Sequence, residues 1–272
     1  MPKFPIDYND LKPLGKTRER ITAIGLGTWA IRDYKSAFEA FVEAIESGIN
    51  HIDTAEMYGA GEAESFVGRV VKEVGRDRVF IVTKLYPYRF RSLEETLKAA
   101  RASVDRLGVR YVDVLLIHWP DQQTAIKDQV RNLEAVAEAG LSRYIGVSNF
   151  SKDELEEALT ATSKHEIVVD QIKYSVLDRR SEDLIPLALE RGVSLQAYSP
   201  LERGQVAHVK LLSKIGRQYG KTAVQVALNF IISRPRFVAI PKAERKSHVE
   251  EITGALGWRL KPEDIELIET KL

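Results

Sequence analysis

Eight apolar, β-branched runs alternate with amphipathic stretches from about residue 21 to the C-terminus, and that alternation leaves few folds open. The runs are "ITAIGLGTW", "NHIDTA", "RVFIVTK", "VDVLLIHW", "RYIGVSN", "IVVDQIK", "VSLQAYS" and "FVAIPK". Each reads as a strand. Repeated β-then-α units with short joints predict parallel strands joined by right-handed crossovers. Eight of them favour a closed TIM (β/α)8 barrel, of class α/β, over an open doubly wound sheet. No Pro/Gly/Ser-rich linker interrupts the pattern, so 1–272 is expected to be one domain. The polar segment "LKPLGKTRER" ahead of the first run predicts an N-terminal β-hairpin beneath the closed end of the barrel.

The intervening stretches 34–46, 62–74, 93–107, 123–139, 152–162, 181–190 and a longer region after 209 carry apolar residues at helical spacing. In 93–107, Leu93, Leu97, Ala100, Val104 and Leu107 form one stripe, while Glu94, Glu95, Lys98 and Arg101 take the other face. Ser92, with Glu95 three residues on, fits a capping box. Gly48, Gly108, Gly140 and Gly192 follow helical stretches, where glycine commonly ends a helix. Gly25 and Gly27 inside the first run point to a close approach by backbone or ligand.

Charge excludes some partners. Lys plus Arg number 40 against 39 Asp plus Glu, which provides no global field for nucleic acid or an anionic membrane. There is no cysteine, hence no disulfide, thiolate metal site or cysteine nucleophile. No apolar stretch suggests a leader or a membrane span, so a cytoplasmic location is expected. Five asparagines and eight glutamines accompany abundant Glu, Lys and Arg, the bias of thermophilic proteins. The five histidines, His51, His118, His165, His208 and His248, are scattered singly, and no metal site is expected. Oligomeric state is expected to be monomer or dimer.

Four polar residues end or follow successive runs: Asp53 in "HIDTA", Tyr58 just beyond it, Lys84 in "VFIVTK" and His118 in "VLLIHW". In a parallel barrel such run-ends converge on the C-terminal face, where barrel enzymes do their chemistry. Together they suit the reduction of a carbonyl, whose oxygen needs a proton as hydride reaches its carbon. Tyr58 is the candidate acid, although an ordinary phenol has pKa about 10. An ammonium about 4 Å away would favour the phenolate by about 4 kcal/mol at an effective dielectric of about 20, or about three pK units. Lys84 is expected to supply that shift, Asp53 to keep Lys84 charged, and His118 to orient the carbonyl oxygen.

The words "GLGTW", "IDTAEMYG", "TKL", "LLIHWP", "RYIGVSNF", "YSP" and "AIPKA" stand in the order and near the spacing of the aldo-keto reductases, and nearly the whole chain resembles that family. The resemblance implies an NAD(P)H-dependent reductase of aldehydes and ketones on a TIM barrel, with Asp53, Tyr58, Lys84 and His118 as its catalytic tetrad. It implies that Ser148, Asn149 and Gln171 bind the nicotinamide carboxamide and that Tyr198 stacks on the ring. It also implies Ser199, Pro200, Leu201 and Gly204 around the pyrophosphate, with further cofactor contacts from Gly27, Thr28, Trp29, Asp53 and Ile240. The glycine-rich fingerprint of doubly wound dinucleotide folds is missing.

At the adenosine end the resemblance weakens. Lys242 matches the family's 2′-phosphate lysine, but Ala243 lacks the usual hydroxyl and His248 replaces an arginine. Glu244 brings a negative charge there, with Arg245 and Lys246 as possible compensation; Glu251 fits the adenine-contacting acid, whereas Ile252 departs from an asparagine. Use of both NADP and NAD is therefore expected. Trp29, Tyr58, Tyr86, His118 and Trp119 are expected to line an aromatic substrate pocket for small carbonyl or alcohol substrates. The chain ends on "KPEDIELIETKL" without the long C-terminal loop of many relatives, so an open pocket with high KM and broad acceptance is expected. A regulatory subunit on the same barrel and a metal-dependent hydrolase are the competing readings.

Overall fold

The first apolar run divides between two sheets in the computed structural model, which describes residues 1–272. Strands β1 (Leu11–Pro13) and β2 (Arg20–Thr22) make the expected antiparallel hairpin, with Leu11 opposite Thr22. Only Leu26–Gly27 remains as barrel strand β3, so the run 21–29 is not one strand. Its backbone instead makes isolated ladder bonds: Gly25 N–H to the Ala239 carbonyl at 2.8 Å and Gly27 N–H to that of Pro241 at 3.0 Å. These bonds close the barrel.

The barrel strands are β3, β4 (His51–Asp53), β5 (Phe80–Leu85), β6 (Val112–Ile117), β7 (Ser142–Ser148), β8 (Ile167–Lys173), β9 (Ser194–Tyr198) and β10 (Phe237–Ala239), parallel and in sequential order. Bridges Ile24 to Ala239 and Gly27 to Lys242 join the last strand to the first. Around it run α1 (Tyr34–Glu46), α2 (Glu62–Val74), α3 (Leu93–Leu107), α4 (Ile126–Glu138), α5 (Lys152–Ala161), α6 (Leu184–Arg191), α7 (Lys210–Tyr219), α8 (Ala223–Ile232), α9 (Lys246–Thr253) and α10 (Pro262–Lys271). None is long and apolar enough to cross a membrane.

Local physics moves some expected boundaries. α4 starts at Ile126 because Gln129 reaches back into the preceding turn, accepting from Asp121 N–H at 2.9 Å and donating to the Thr124 carbonyl at 2.7 Å. A 3-10 turn over Arg180–Asp183 precedes α6, which begins at Leu184. Ser92 caps α3 by accepting from Glu95 N–H, but the Glu95 carboxylate pairs with Arg89 at 3.3 Å, so only half of the box forms. The buried face of α3 carries Thr96, Ala99, Ala100, Ser103, Val104 and Leu107 with Leu97 packed against it, so the expected stripe holds except at its first member, Leu93, which lies in solvent. Gly48, Gly108, Gly140 and Gly192 all take positive φ, as helix-ending glycines do.

Two cores result. Sixty-six buried apolar residues fill the space between barrel and helices. A second cluster of nine lies inside the barrel, where Leu14 and Ile21 from the hairpin region pack against Phe80, Val82, Val114, Leu116, Val168, Val169 and Val238. The hairpin therefore plugs the closed end, as expected; truncating Ile21 to alanine would cost about 2–5 kcal/mol. His51 also points inward there, and a Cβ on Gly25 would meet its ring at 2.0 Å. Gly25 thus serves packing, and any side chain at that position would displace the imidazole.

Strand register determines what faces the upper barrel. Phe80 pairs with His51 and Val82 with Asp53; Lys84 pairs with Leu116, Leu116 with Gly146, Ser148 with Gln171, and Gln171 with Gln196. Since side chains alternate faces, Asp53, Lys84, Ser148, Gln171 and Gln196 all turn inward above the apolar layer.

Candidate active site

Asp53, Lys84 and Tyr58 meet at the open end. Lys84 Nζ donates to Asp53 Oδ2 at 2.7 Å, to the Thr54 carbonyl at 2.8 Å and to the Tyr58 hydroxyl at 3.2 Å. Asp53 and Lys84 lie on the last turns of adjacent strands. Tyr58 follows β4 on a tight turn whose Gly59 and Ala60 take φ of 59° and 51°. His118, one residue beyond β6, presents its ring edge-on to Tyr58 with centroids 5.7 Å apart. The four expected residues are brought together.

Their electrostatics differ from expectation at one point. Burial raises the Tyr58 phenol above its ordinary pKa of 10.0; Lys84 pulls it down, Asp53 pushes it up again, and burial wins. The expected net fall of the phenol's pKa is therefore corrected: desolvation of the ring by the surrounding protein outweighs one nearby ammonium. Tyr58 stays protonated at neutral pH, and Lys84 eases the cost of the phenolate that a departing proton would leave. Burial alone would neutralise Lys84, but the Asp53 carboxylate, then the phenol, hold its pKa above the ordinary lysine value. Burial, aided by Lys84, lowers His118 to about 3, which leaves a neutral imidazole. Its Nδ1 has no hydrogen-bond partner.

Ser148, Asn149, Gln171 and Tyr198 form a second polar group beside the first. Asn149 has a left-handed φ of 59°, and its Nδ2 donates to the His118 carbonyl and to Ser148 Oγ, each at 3.0 Å. Tyr198 donates to Asn149 Oδ1 at 2.7 Å, and Ser148 Oγ donates to the Gln171 carbonyl at 2.9 Å. Gln171 Nε2 donates to Asp53 Oδ1 at 2.6 Å and to Gln196 Oε1 at 2.7 Å. Both protons of that amide are committed, so Gln171 can offer an incoming amide only its Oε1. Gln196 escaped the sequence reading, since a lone glutamine in a strand run signals little before the register is known.

A cleft of about 1220 Å³ runs from Tyr58, His118 and Trp119 past this group to the loop after β10. Its walls include Gly27, Trp29, Asp53, Ser148, Asn149, Gln171 and Tyr198. Ser199, Pro200, Leu201, Gly204 and Ile240 continue it, and Lys242, His248 and Glu251 lie at the far end. Three expected site residues are not in its wall. Lys84 is wholly buried behind Tyr58. Thr28 is buried and donates its hydroxyl to the Asp53 carbonyl at 3.0 Å, so it supports β4. Tyr86 stacks on Tyr88 at 5.2 Å and meets Trp119 edge-on at 6.3 Å, bracing that rim from behind. Residues that sequence reasoning missed in the wall include Met57, Lys173 and Arg203. Arg203 lies over the Trp29 ring at 5.4 Å.

The far end carries paired charges. Lys242 bonds Glu244 at 2.7 Å and the Ala30 carbonyl at 3.0 Å. Glu244 also accepts from Arg32 N–H at 3.0 Å. Burial would raise the Glu244 carboxyl, but Lys242 and the Arg32 amide hold it below the ordinary value. Glu251 accepts from the Thr222 hydroxyl. Lys246 pairs with Glu43 on α1 at 3.1 Å and does not line the cleft, so of the two expected compensating cations only Arg245 faces it.

Known proteins similar to this chain in sequence and in fold are numerous. A thermostable aldo-keto reductase solved with the inhibitor epalrestat superposes with a TM-score of 0.90 at 38% identity, covering 96% of this chain and 98% of that one. An aldo/keto reductase from Klebsiella pneumoniae, solved with NADP and acetate, gives 0.89 at 29% identity over 96% and 95%. The NADH-specific methylglyoxal reductase of Escherichia coli is 34% identical over 222 residues, 71% of this chain and 67% of that protein. The family model described as "Aldo/keto reductase family" matches residues 23–272, and this chain belongs to that family of NAD(P)H-dependent oxidoreductases acting on small carbonyl compounds.

Proposed function

We propose that this protein reduces aldehydes and ketones to alcohols, reversibly, with Tyr58 as proton donor. The observation that carries the reading is the Tyr58 hydroxyl 3.2 Å from Lys84 Nζ, itself 2.7 Å from Asp53, at the inner end of the cleft. A nicotinamide dinucleotide would fit. The cleft exceeds the roughly 300–1,000 Å³ of ordinary small-ligand pockets, and Gln171 keeps an acceptor free beside the polar groups of Ser148 and Asn149. When bound, that cofactor supplies the hydride. Tyr58 gives its proton to the carbonyl oxygen, while Lys84, kept cationic by Asp53, stabilises the charge left on the phenol. Neutral His118 donates a hydrogen bond that orients the same oxygen.

Ser148, Asn149 and Gln171 would hold the carboxamide and Tyr198 the ring face. Asn149 donates inward in the present arrangement, so it must exchange one of those bonds to serve an incoming amide oxygen. Both NADPH and NADH are proposed to support turnover. Lys242 can meet a 2′-phosphate, and relatives have been solved with NADP or NADPH, but its charge is already shared with Glu244. The relative specific for NADH accords with that reading.

The aromatic rim of Trp29 and Trp119, 46% and 38% exposed, suits uncharged carbonyls with apolar or aryl substituents, and small dicarbonyls of the methylglyoxal kind. Lys173, which also lines the cleft, is neutralised by Asp178 at 3.0 Å and Glu202 at 3.5 Å, and the Arg203 guanidinium lies over the Trp29 ring itself. Purified protein supplied with NADPH or NADH and a panel of methylglyoxal, aryl aldehydes and diketones should consume cofactor, read by absorbance. No consumption across the panel would overturn the reading.

A further inference from the structure

Gln196 lies on β9 directly beside Gln171 on β8, with only 1% of its surface exposed, and it does not line the cleft. Its Oε1 accepts from Gln171 Nε2 at 2.7 Å. The other Nε2 proton of Gln171 goes to Asp53 Oδ1 at 2.6 Å, and Asp53 Oδ2 holds Lys84. A continuous line of hydrogen bonds therefore crosses the barrel interior from Gln196 through Gln171, Asp53 and Lys84 to Tyr58. We propose that Gln196 is a positioning residue that fixes the plane of the Gln171 carboxamide, so that its single free acceptor faces the cofactor's amide.

Asp53 alone cannot do this. A single hydrogen bond lets a terminal amide swing about the bond axis, because the last torsion of a glutamine is soft. A second anchor on the other N–H defines the plane. Gln196 must face Gln171 with its oxygen, since its NH2 would set donor against donor. The two glutamines are thereby oriented as a pair. This inference rests on the proposed cofactor reading and adds a residue to which that reading gives no role.

The test compares ligands that differ only at the amide-bearing ring. Wild type, Gln196→Leu, Gln171→Leu and the double variant are titrated by quenching of tryptophan fluorescence with NADP+ and NAD+, and in parallel with 2′-phospho-ADP-ribose and ADP-ribose, which lack the nicotinamide. Gln196→Leu should weaken the better-bound dinucleotide about fivefold to tenfold, the effect of one lost neutral hydrogen bond, and leave its ring-less partner within twofold. In the Gln171→Leu background the second substitution should add nothing. Equal weakening of both ligands, unchanged dinucleotide binding, or a full additional loss without Gln171 would each overturn the proposal alone. Wild-type protein that binds none of the four ligands would overturn the functional reading and this proposal with it.

Discussion

The two ends of the cleft are built in different ways. At the deep end the polar side chains arise from barrel strands or the residues that follow them, and the core of the group is held by buried neighbours: Asp53 by Lys84 and Gln171, and Gln171 by Gln196. At the far end the groups arise from the loop after β10 and from α9, and they pair as surface charges, Lys242 with Glu244 at 39% and 17% side-chain exposure. Register dictates geometry at one end, whereas at the other screening by solvent leaves the geometry adjustable. The first end should therefore be intolerant of change and the second permissive.

Paired lysine substitutions would break or sustain that contrast most visibly. Lys84→Met should lower kcat/KM by about 10²–10⁴, the range for loss of a tuned proton donor. It should also lower stability by about 3–5 kcal/mol, because Asp53 is left buried without its counter-charge, as read by urea denaturation. Lys242→Met should leave kcat and stability nearly unchanged and affect only the KM for NADPH, by about tenfold or less. Comparable loss of kcat in both variants would erase the distinction between the ends.

The closed end of the barrel offers a pH test of the same burial. Desolvation lowers His51 to about 3 from an ordinary 6.5. As pH falls below about 6.5 the unfolded chain takes up a proton that the folded chain refuses, so the wild type loses stability until about pH 3. The stability difference between wild type and His51→Leu should shift against the wild type by up to about 1.4 kcal/mol per pH unit across that window. A difference independent of pH in urea titrations would show that His51 is not held neutral.

The smallest effect belongs to the far end. Glu244→Gln should free Lys242 and raise the NADPH to NADH ratio in kcat/KM by roughly threefold to fivefold, the scale of an exposed ion pair. An unchanged ratio would mean that the pair does not govern cofactor choice.

How far the sequence showed these differences depended on what each residue's signal rested upon. Helices α1, α2 and α3 were readable to the residue, because long apolar periodicity and terminal glycines mark them. The first barrel strand was not, since its apolar run is divided between the hairpin strand β2 and the two-residue β3, and its pairing with the last strand is by isolated bridges. Asp53, Tyr58, Lys84 and His118 were legible as polar residues ending apolar runs. The direction of the Tyr58 shift was not, because it depends on how much protein encloses the ring. Gln196 was silent until the register of β8 and β9 set it against Gln171, and Thr28 and Tyr86 carried site-like signals yet turned to support their neighbours.

The account stands most directly on the phenol. Steady-state reduction of methylglyoxal or an aryl aldehyde by Tyr58→Phe, with cofactor affinity measured on the same sample by fluorescence quenching, isolates the proton from everything that holds the ligands. Turnover reduced at least about 100-fold with cofactor binding within twofold of wild type is the predicted result. Turnover near the wild-type rate would contradict the assignment of the Tyr58 hydroxyl as proton donor, and with it the purpose ascribed to Lys84 and Asp53.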